Sequence, residues 1–300
     1  MGSPIDQRPA LSIVIASYNA EQTIQTCLHS LRSQETDRDF EVIIVDSSTD
    51  RTAEIVAKEY PEVGLYRFTE RLFCGEARNI GISVARGDII ALTDADCAAT
   101  MTWVDQIIQA QQSAHLAIGG AIANSEPSGL VGWAAYFCEF SRWMPASKSR
   151  WLDDIAGANI SYKKEAFRTY GPFLEGTYCS DSEFHWRLGR DGQRLLFLPE
   201  IVVSHHSIHR FREFVQHEFE HGRCFARVRI LGEAFSRPRR LAYVALAPLI
   251  PLKILLKVLS NNLRDRVYLT HFLNALPLVG AGIVSWSMGE AVGYAEGWRG

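Results

Sequence analysis

The sequence predicts an α/β fold in which a right-handed parallel sheet is flanked by helices. Short apolar runs without polar alternation recur through the first two thirds of the chain, as expected of strands buried on both faces. Stretches with apolar residues at helical spacing separate these runs. Because strands that alternate with helices favour right-handed parallel connections, the two patterns together predict this fold class. The last third of the chain is helical in composition.

The predicted elements follow these patterns in chain order. The strands are residues 11–16, 40–45, 63–68, 89–92, 116–122, 156–162 and 195–198, with a further apolar run at 201–203. The helices are residues 24–31, 53–60, 74–85, 103–112, 163–170 and 179–188. Pro61 and Gly87 mark the ends of the second and third helices. Residues 125–148 are rich in aromatic side chains and receive no assignment.

Charge is distributed unevenly between the body and the tail of the chain. The net charge is −3, but residues 210–300 contain 13 Lys and Arg against 7 Asp and Glu, so this tail carries +6 and the remainder −9. A basic, apolar tail favours a membrane surface or a polyanion as its partner, with a solvated basic helix as the alternative.

The cysteines and the N-terminus indicate a cytoplasmic protein. The six cysteines are widely spaced and form no Cys-x-x-Cys pair, which argues against a zinc ribbon and for reduced thiols. Residues 1–6 show no basic flank followed by a long apolar core, so no signal peptide is expected.

Two carboxylates follow the apolar run at 89–92, one residue apart. In an open α/β sheet, ligands bind at the C-terminal ends of the strands, so Asp94 and Asp96 are placed at a candidate site. Because two close carboxylates repel each other, a divalent cation is the usual way to keep both ionised, and oxygen ligands suit Mg²⁺ or Mn²⁺. The alternative is a strand end followed by a solvated turn.

Other predicted strands end in polar groups that would reach the same edge of the sheet. These are the turn Ala16, Ser17 and Tyr18 after the first strand and Asp46 after the second. Such convergence suits a nucleotide, with Tyr18 against a base, Asp46 accepting from base or ribose, and a metal bridging phosphates. The first strand is not followed by Gly-x-Gly-x-x-Gly, and no Gly-Lys-Ser/Thr loop occurs, which argues against dinucleotide oxidoreductases and P-loop enzymes.

A set of motifs occurs in a recognisable order across residues 10–210. It consists of Ile13-Val14-Ile15-Ala16-Ser17-Tyr18-Asn19, Val45-Asp46, Gly75-Glu76-Ala77-Arg78-Asn79-Ile80-Gly81, Asp94-Ala95-Asp96, Gly157-Ala158-Asn159 and Ser180-Asp181-Ser182-Glu183. The chain in this range resembles the family 2 glycosyltransferases. The resemblance implies a GT-A type fold, with a nucleotide-sugar-binding mixed sheet flanked by helices.

The resemblance also implies roles on the donor side of the site. Asp46 and Arg78 would contact the nucleotide base, beside the turn Ala16, Ser17 and Tyr18. Asp94 would meet the ribose or reach the metal through water, and Asp96 would ligate the metal directly. In many relatives a histidine near the end of the matched region completes the metal shell, and His205 occupies that place; an imidazole ligand would favour Mn²⁺ over Mg²⁺.

On the acceptor side, the resemblance makes Asp181 the catalytic base. The loop Gly157, Ala158 and Asn159 would line the acceptor. A carboxylate there would remove the hydroxyl proton as the acceptor oxygen attacks the anomeric carbon opposite the leaving group, which inverts its configuration. Two departures stand out: the glutamate that precedes the base in the family is Ser180 here, and the turn after Asp46 lacks the glycine often found there.

One further motif allows a different chemistry. Residues 217–221 match His-Glu-x-x-His, which places His217 and His221 on one helical face with Glu218 between them, as in zinc metallopeptidases. A zinc-dependent hydrolase is therefore one alternative function, and a non-catalytic nucleotide-sugar-binding protein is another. We favour a helix packed beside the donor site, from which Arg223 would neutralise the diphosphate.

The tail contains two apolar segments. Residues 241–259 carry Lys253 and Lys257 on one face and leucines on another, which favours a helix in the membrane interface, with Arg237, Arg239 and Arg240 near anionic headgroups. Residues 267–289 lack formal charge over 23 positions, but Asn, Pro and Gly interrupt them, which favours a re-entrant or in-plane hairpin. The alternative is a helical cap packed on the catalytic domain or on a dimer partner.

The sequence therefore predicts an N-terminal tail (1–10), a nucleotide-sugar-binding half (11–97), an acceptor-binding half (98–209) and a C-terminal helical membrane-associating region (210–300). We expect a metal-dependent inverting glycosyltransferase that uses Mn²⁺ or Mg²⁺ and a nucleotide sugar, most readily a UDP-sugar. Its hydroxyl acceptor would be lipid-linked or a surface glycan, and its place the cytoplasmic face of the cell membrane. No nucleic acid partner is expected, and a homo-oligomer is allowed.

Overall fold

A single mixed sheet forms the centre of the fold. The computed structural model describes residues 8–125, 128–145 and 147–297, so the predicted N-terminal tail lies mostly outside the described residues. Within these ranges the strands are β1 (Leu11–Ser17), β2 (Phe40–Asp46), β3 (Gly64–Arg67), β4 (Ile89–Asp94), β5 (Cys97–Ala99), β6 (Ala117–Asn124), β7 (Arg150–Leu152), β8 (Asn159–Lys163) and β9 (Leu195–His205). They are ordered β3-β2-β1-β4-β8-β6-β9-β5, and β7 pairs with β9.

Strand direction divides the sheet into two parts. Strands β1 to β4 are parallel to one another, as predicted. Strand β8 runs antiparallel to both β4 and β6, and β5 and β7 run antiparallel to β9. The expectation of a wholly parallel sheet is therefore wrong beyond β4, whereas the mixed sheet implied by the family resemblance is confirmed. Apolar runs report the burial of a strand and carry no information on its direction.

Helices cover the sheet and extend the fold at its C-terminus. They are α1 (Ile24–Arg32), α2 (Thr52–Glu59), α3 (Cys74–Val84), α4 (Trp103–Ala110), α5 (Leu130–Phe140), α6 (Glu165–Tyr170), α7 (Ser180–Arg190), α8 (Phe211–Gly232), α9 (Arg237–Leu246), α10 (Ile250–Asp265) and α11 (Leu269–Glu296). A 3₁₀ turn (Ala247–Leu249) joins α9 to α10. The first six predicted helices are confirmed to within a few residues at each end. Helix α5 lies in the stretch left unassigned, and its side chains Trp133, Tyr136 and Phe137 are buried.

Helix α11 is one continuous helix that packs chiefly against α8 and α5. The predicted re-entrant hairpin is therefore wrong. Glycines let the backbones of α8 and α11 approach closely: a Cβ on Gly289 would lie 1.9 Å from the carbonyl oxygen of Phe219, and one on Gly222 would lie 2.1 Å from that of Trp286. Pro277 is exposed, so the carbonyl that it leaves without a helical partner can bond to water.

Helices α9 and α10, unlike α11, are largely exposed. Helix α9 has no buried residue, and α10 buries only Val258, Asn261 and Asn262. The segment Arg237–Asp265 and helix α11 are each long and apolar enough to cross a membrane. These two lengths of helix are compatible with membrane association.

Candidate active site

The ends of β1, β2 and β4 bring the predicted donor residues to one edge of the sheet. In the parallel register, Ala16 is paired with Asp94 and Ser17 with Asp46. A cleft of about 1200 Å³ opens beside this edge. Ala16, Tyr18, Arg78, Asp94, Asp96, Gly157, Ala158, Asp181 and His205 all line it. Most of the residues predicted for the site therefore share one cavity.

Arg78 and Asp94 form a largely buried ion pair at the floor of the cleft. The Arg78 Nη2 atom donates to Asp94 Oδ1 over 2.7 Å, and the Arg78 side chain is 4% exposed. Burial raises the pKa of Asp94, assisted by the charge of Asp96 and opposed by Arg78. Gly157 lies against the guanidinium, because a Cβ there would lie 2.4 Å from Arg78 Nη1. A side chain at position 157 would therefore displace the guanidinium from this position.

Asp96 and His205 face each other across the antiparallel pair of β5 and β9. His205 Nε2 lies 3.4 Å from Asp96 Oδ2, and the backbone N–H of His206 donates to the Asp96 carbonyl. Burial lowers the pKa of His205, but the Asp96 carboxylate outweighs it and the pKa rises to about 9. A carboxylate and an imidazole therefore meet at the cleft, and the imidazole could bind a metal ion only after it releases its proton.

Asp181 lies in the first turn of α7, on the opposite side of the Gly157–Ala158 loop. Its Oδ2 accepts from the Gly157 N–H over 2.8 Å, and its Oδ1 accepts from the Ser182 N–H over 2.9 Å. Cys179, just before the helix, has a left-handed conformation with φ of 60° and turns the chain into α7. These contacts hold the carboxylate in one orientation at the wall of the cleft.

Ser180, where the family resemblance leads us to expect a glutamate, lies at a close contact between α3 and α7. The Ser180 side chain is fully buried, and its Oγ lies 3.9 Å from Cys74 Sγ. A Cβ added to the neighbouring Gly75 would lie 2.7 Å from Ser180 Oγ. The small serine side chain is therefore compatible with the close approach of the two helices.

Two predicted donor residues lie beneath the cleft surface. Asp46 is buried, and its Oδ1 accepts from Ser48 Oγ over 2.6 Å. Ser17 is also buried, and its Oγ has no hydrogen-bond partner within the described part of the chain. Ser17 and Asp46 are paired across β1 and β2, and Tyr18 follows Ser17 in the chain. The Tyr18 ring is exposed, and its centroid lies 4.4 Å from Arg71 Cζ.

Asn159 and Arg223 do not line the cleft. Asn159 is buried in the sheet, where its amide nitrogen donates to the carbonyls of Ala121 and Ile201 and its oxygen accepts from Trp103 Nε1. Arg223 donates from Nε and Nη2 to the two carboxyl oxygens of Glu296, each over 2.9 Å. The side chain of Asn159 therefore braces the loop that precedes it, and Arg223 links α8 to α11.

The cleft also contains residues that the sequence analysis did not assign to it. Helices α8, α10 and α11 form its far wall, and Asp154 lies beside Asp181. Asp154 Oδ1 lies 2.8 Å from His185 Nδ1, and its Oδ2 accepts from Ser182 Oγ over 3.1 Å. A histidine four residues after Asp181 on α7 is the only sequence signal of this contact.

The boundary predicted between the acceptor-binding half and the C-terminal region, at residue 210, stays a prediction. Residues from both sides of this boundary line the cleft.

The motif predicted as a zinc site faces the same cleft. His217, Glu218 and His221 line it, with the two imidazole centroids 4.4 Å apart. Across residues 8–125, 128–145 and 147–297, no three His, Cys, Asp or Glu side chains are arranged so that they could hold a metal ion between them. The zinc-hydrolase alternative therefore lacks a third protein ligand, and a metal at Asp96 and His205 would need oxygen ligands from a substrate or water.

The sequence of this chain is similar to those of known glycosyltransferases. The family model for glycosyl transferase family 2 matches residues 12–171. Glycosyltransferase AglE of Haloferax volcanii is 27% identical over 223 residues, and the match covers 72% of each chain. The putative glycosyltransferase EpsH of Bacillus subtilis is 36% identical over 128 residues, which cover 41% of this chain and only 37% of EpsH.

Among solved structures, the mannosyltransferase PcManGT from Pyrobaculum calidifontis, in complex with GDP-Man and Mn²⁺, superposes with a TM-score of 0.61 at 19% identity. The match covers 95% of this chain and 88% of PcManGT. Residues 1–349 of S. aureus TarS, in complex with UDP-GlcNAc, give a TM-score of 0.55 at 17% identity, with 96% of this chain and 92% of TarS 1–349 covered. At this level of identity the two likenesses show a shared fold.

Proposed function

The chain belongs to glycosyl transferase family 2, and from this premise we propose that it is a metal-dependent, inverting enzyme that transfers a sugar from a nucleotide-sugar donor to a hydroxyl acceptor. One observation carries the proposal. The carboxylate of Asp181 and the pair Asp94 and Asp96 line the same cleft, on either side of the Gly157–Ala158 loop. The two groups of carboxylates can therefore act on the donor and the acceptor separately.

The donor binds at the ends of β1, β2 and β4. The exposed ring of Tyr18, held by Arg71, offers a flat surface to the base. Arg78 and Asp94 lie below it and contact the nucleoside, while Asp46 takes part through the Ser48 hydroxyl that covers it. Of the two solved relatives, one contains GDP-Man and the other UDP-GlcNAc. We propose a UDP-sugar as the donor of this chain.

Asp96 and His205 would hold a divalent cation, with Asp94 nearby. One carboxylate and one imidazole face each other at 3.4 Å, so they would supply two ligands, and phosphate oxygens and water would supply the others. The ion, when bound, stabilises the charge of the departing diphosphate. The imidazole favours Mn²⁺, and PcManGT was solved with Mn²⁺.

Asp181 acts as the general base. The hydrogen bonds from the Gly157 and Ser182 N–H groups orient its carboxylate toward the acceptor. As the acceptor oxygen forms its bond to the anomeric carbon, the bond from that carbon to the diphosphate oxygen breaks, and the hydroxyl proton passes to Asp181. Attack from the face opposite the leaving group inverts the anomeric centre.

The acceptor is proposed to be lipid-linked or part of a surface glycan, reached at the cytoplasmic face of the membrane. Support comes from α10, which turns Lys253 and Lys257 toward the cleft and exposes Leu252 and Leu256 elsewhere on its surface. A helix with these two faces suits an interfacial position beside the mouth of the cleft.

The base assignment is tested with Asp181→Asn. Transfer should fall by about 10²–10⁴-fold, the usual contribution of a general base, while UDP affinity stays within about twofold because Asp181 does not contact the donor. Asp191→Asn, at the other end of α7, is the matched control and should keep full activity. Steady-state kinetics and calorimetry measure the two quantities, and normal turnover by Asp181→Asn would refute the assignment.

The metal assignment is tested with Asp96→Asn. Calorimetric titration with UDP, with and without MnCl₂, should show that Mn²⁺ strengthens binding to the wild-type protein about tenfold or more and leaves the variant unaffected. Asp105→Asn on α4 is the control for a carboxylate outside the cleft. A variant that keeps the full effect of Mn²⁺ contradicts the role of Asp96.

A further inference from the structure

The proposed donor and base assignments leave the motif at residues 217–221 unused. His217, Glu218 and His221 nevertheless line the same cleft as Asp181. Helix α8 is held in place against α11 by backbone contact at Gly222, where a Cβ would lie 2.1 Å from the Trp286 carbonyl oxygen. The three side chains are therefore presented to the cleft by a rigid pair of helices.

One carboxyl group of this cluster is buried and incompletely bonded. Glu218 is 2% exposed, and its Oε1 has no hydrogen-bond partner among the residues that the structure describes. His217 Nε2 lies 3.4 Å from Glu139 Oε1. Burial, with a smaller effect of Glu139, raises the pKa of Glu218 well above its usual range, and burial, with His217, lowers the pKa of His221. Glu218 is thus an uncharged carboxyl group with an unbonded oxygen, and the half-buried imidazole of His221 beside it is uncharged as well.

Aromatic rings surround these groups. The Tyr178 ring centroid lies 4.9 Å from that of His221, and the Trp286 centroid lies 5.9 Å from it. Phe225 lies 5.8 Å from Trp286. Tyr178 also stands three residues before Asp181, so the cluster begins close to the catalytic base.

Uncharged hydrogen-bonding groups beside aromatic rings match the two kinds of surface on a sugar ring, its hydroxyls and its C–H face. The Glu139 carboxylate, which lies beside His217, would repel a phosphate. We propose that Glu218, His221 and Trp286 form a subsite for an uncharged pyranose ring of the acceptor. This inference rests on the proposed function and adds to it that the acceptor presents a sugar near its reactive hydroxyl.

The experiment uses the full chain loaded with UDP and MnCl₂. A panel of methyl glycosides of glucose, galactose, mannose and N-acetylglucosamine is titrated by saturation-transfer NMR. Glu218→Leu removes the polar group at nearly constant volume, so the Kd of the best glycoside should rise about tenfold or more. The same variant should unfold at an equal or higher temperature, because a buried carboxyl without a partner is lost. If Glu218 had a purely structural role, its replacement would lower the unfolding temperature.

Two further variants complete the test. Glu220→Leu, on the same helix but outside the cleft, should bind the glycoside like the wild type. Glu218→Gln keeps a hydrogen-bonding side chain and should recover most of the affinity lost in Glu218→Leu.

Three results would overturn the subsite: no glycoside binds to the wild-type protein, Glu218→Leu binds as tightly as the wild type, or stoichiometric zinc is bound and is lost in His221→Ala. Hydrolysis of UDP-sugars by the wild-type protein, measured separately, tests the proposed function. Donor hydrolysis without glycoside binding would therefore refute the subsite alone.

Discussion

Helix α11 and the segment that contains α9 and α10 have similar compositions and opposite environments. Both are long enough to cross a bilayer, and each contains an apolar 18-residue window, with a mean hydropathy of 1.3 in Leu269–Glu296 and 1.8 in Arg237–Asp265. Yet 44% of this window is buried in α11 and 6% in the other segment. The more apolar of the two windows is therefore the one left uncovered.

The difference lies in how each helix surface fits a neighbour. Helix α11 carries Gly282, Gly289 and Gly293 on the side that meets α8, where added Cβ atoms would lie 2.3, 1.9 and 2.4 Å from atoms of that helix. Such small residues allow the backbones to approach closely, and Ser285 Oγ then donates to the Val215 carbonyl. The exposed side of α10 instead carries leucines. The apolar content of a helix thus indicates how much its burial would lower the free energy. Its small residues indicate whether another helix can pack closely against it.

The sharpest test of this contrast is the double variant Leu252→Asp with Leu256→Asp. If α10 lies in a membrane interface, loss of two inserted leucines, at about 1.5–3 kcal/mol each, should weaken binding to anionic vesicles by about 100-fold or more. Thermal stability should not fall, because both side chains are exposed. Vesicle co-sedimentation and a melting curve measure these outcomes.

The control is Met101→Asp with Leu130→Asp, which adds the same charge at two exposed apolar positions outside the C-terminal helices. Two added negative charges should weaken attraction to an anionic vesicle only slightly, so binding should stay within about threefold of that of the wild type. Equal losses in both double variants would mean that charge, and not α10, governs binding.

Gly289→Ala tests the packed helix. Its methyl group has no space beside the Phe219 carbonyl, so overpacking should lower the free energy of unfolding by about 1–3 kcal/mol. Gly280→Ala is the matched control on the same helix, since no atom lies within 4 Å of its added Cβ, and it should raise stability by about 0.5–1 kcal/mol. Denaturant melts of both variants measure the difference, and equal stabilities would show that α11 does not meet α8 as described.

Arg237→Gln gives the smallest expected effect. Arg237 is exposed and forms no ion pair in the described part of the chain, so its loss should weaken binding to anionic vesicles about fivefold, or about 1 kcal/mol. Arg239 already pairs with Glu233 at 2.6 Å, and Arg239→Gln should have less effect. Vesicle titrations at low and high salt compare the two. A larger effect of Arg239→Gln would contradict the idea that only unpaired arginines meet the headgroups.

The donor edge of the site was the most predictable part of the molecule. Asp94, Asp96 and the turn at Ala16 follow buried parallel strands, and parallel strands end at a common edge, so one strand pattern is enough to bring them together. Asp181 was predictable only through the ordered motifs. The surroundings of Asp181, including the Gly157 N–H and Asp154, depend on how the loop between β7 and β8 meets the start of α7, which no local pattern specifies.

Asn159 and Ser180 show the limit of carrying a motif over. Asn159 belongs to a motif predicted for the acceptor, but its side chain is used within the sheet. Ser180 departs from the family pattern, and its close contact with α3 is seen only in the structure. In both cases the role of the side chain depends on which atoms of a neighbouring strand or helix lie against it.

The sequence by itself determined the α/β alternation, the polar strand ends that meet at one edge of the sheet and the family, because these rest on local periodicity and on short runs of residues. Only the tertiary structure decided the antiparallel direction of β8, the burial of α11, the exposure of α10 and the entry of His217, Glu218 and His221 into the cleft. The physical reason is that hydrophobic burial is non-directional: it drives apolar surface out of water but does not choose its partner. That choice is made by steric fit between surfaces distant in sequence, such as the glycine contacts of α8 and α11.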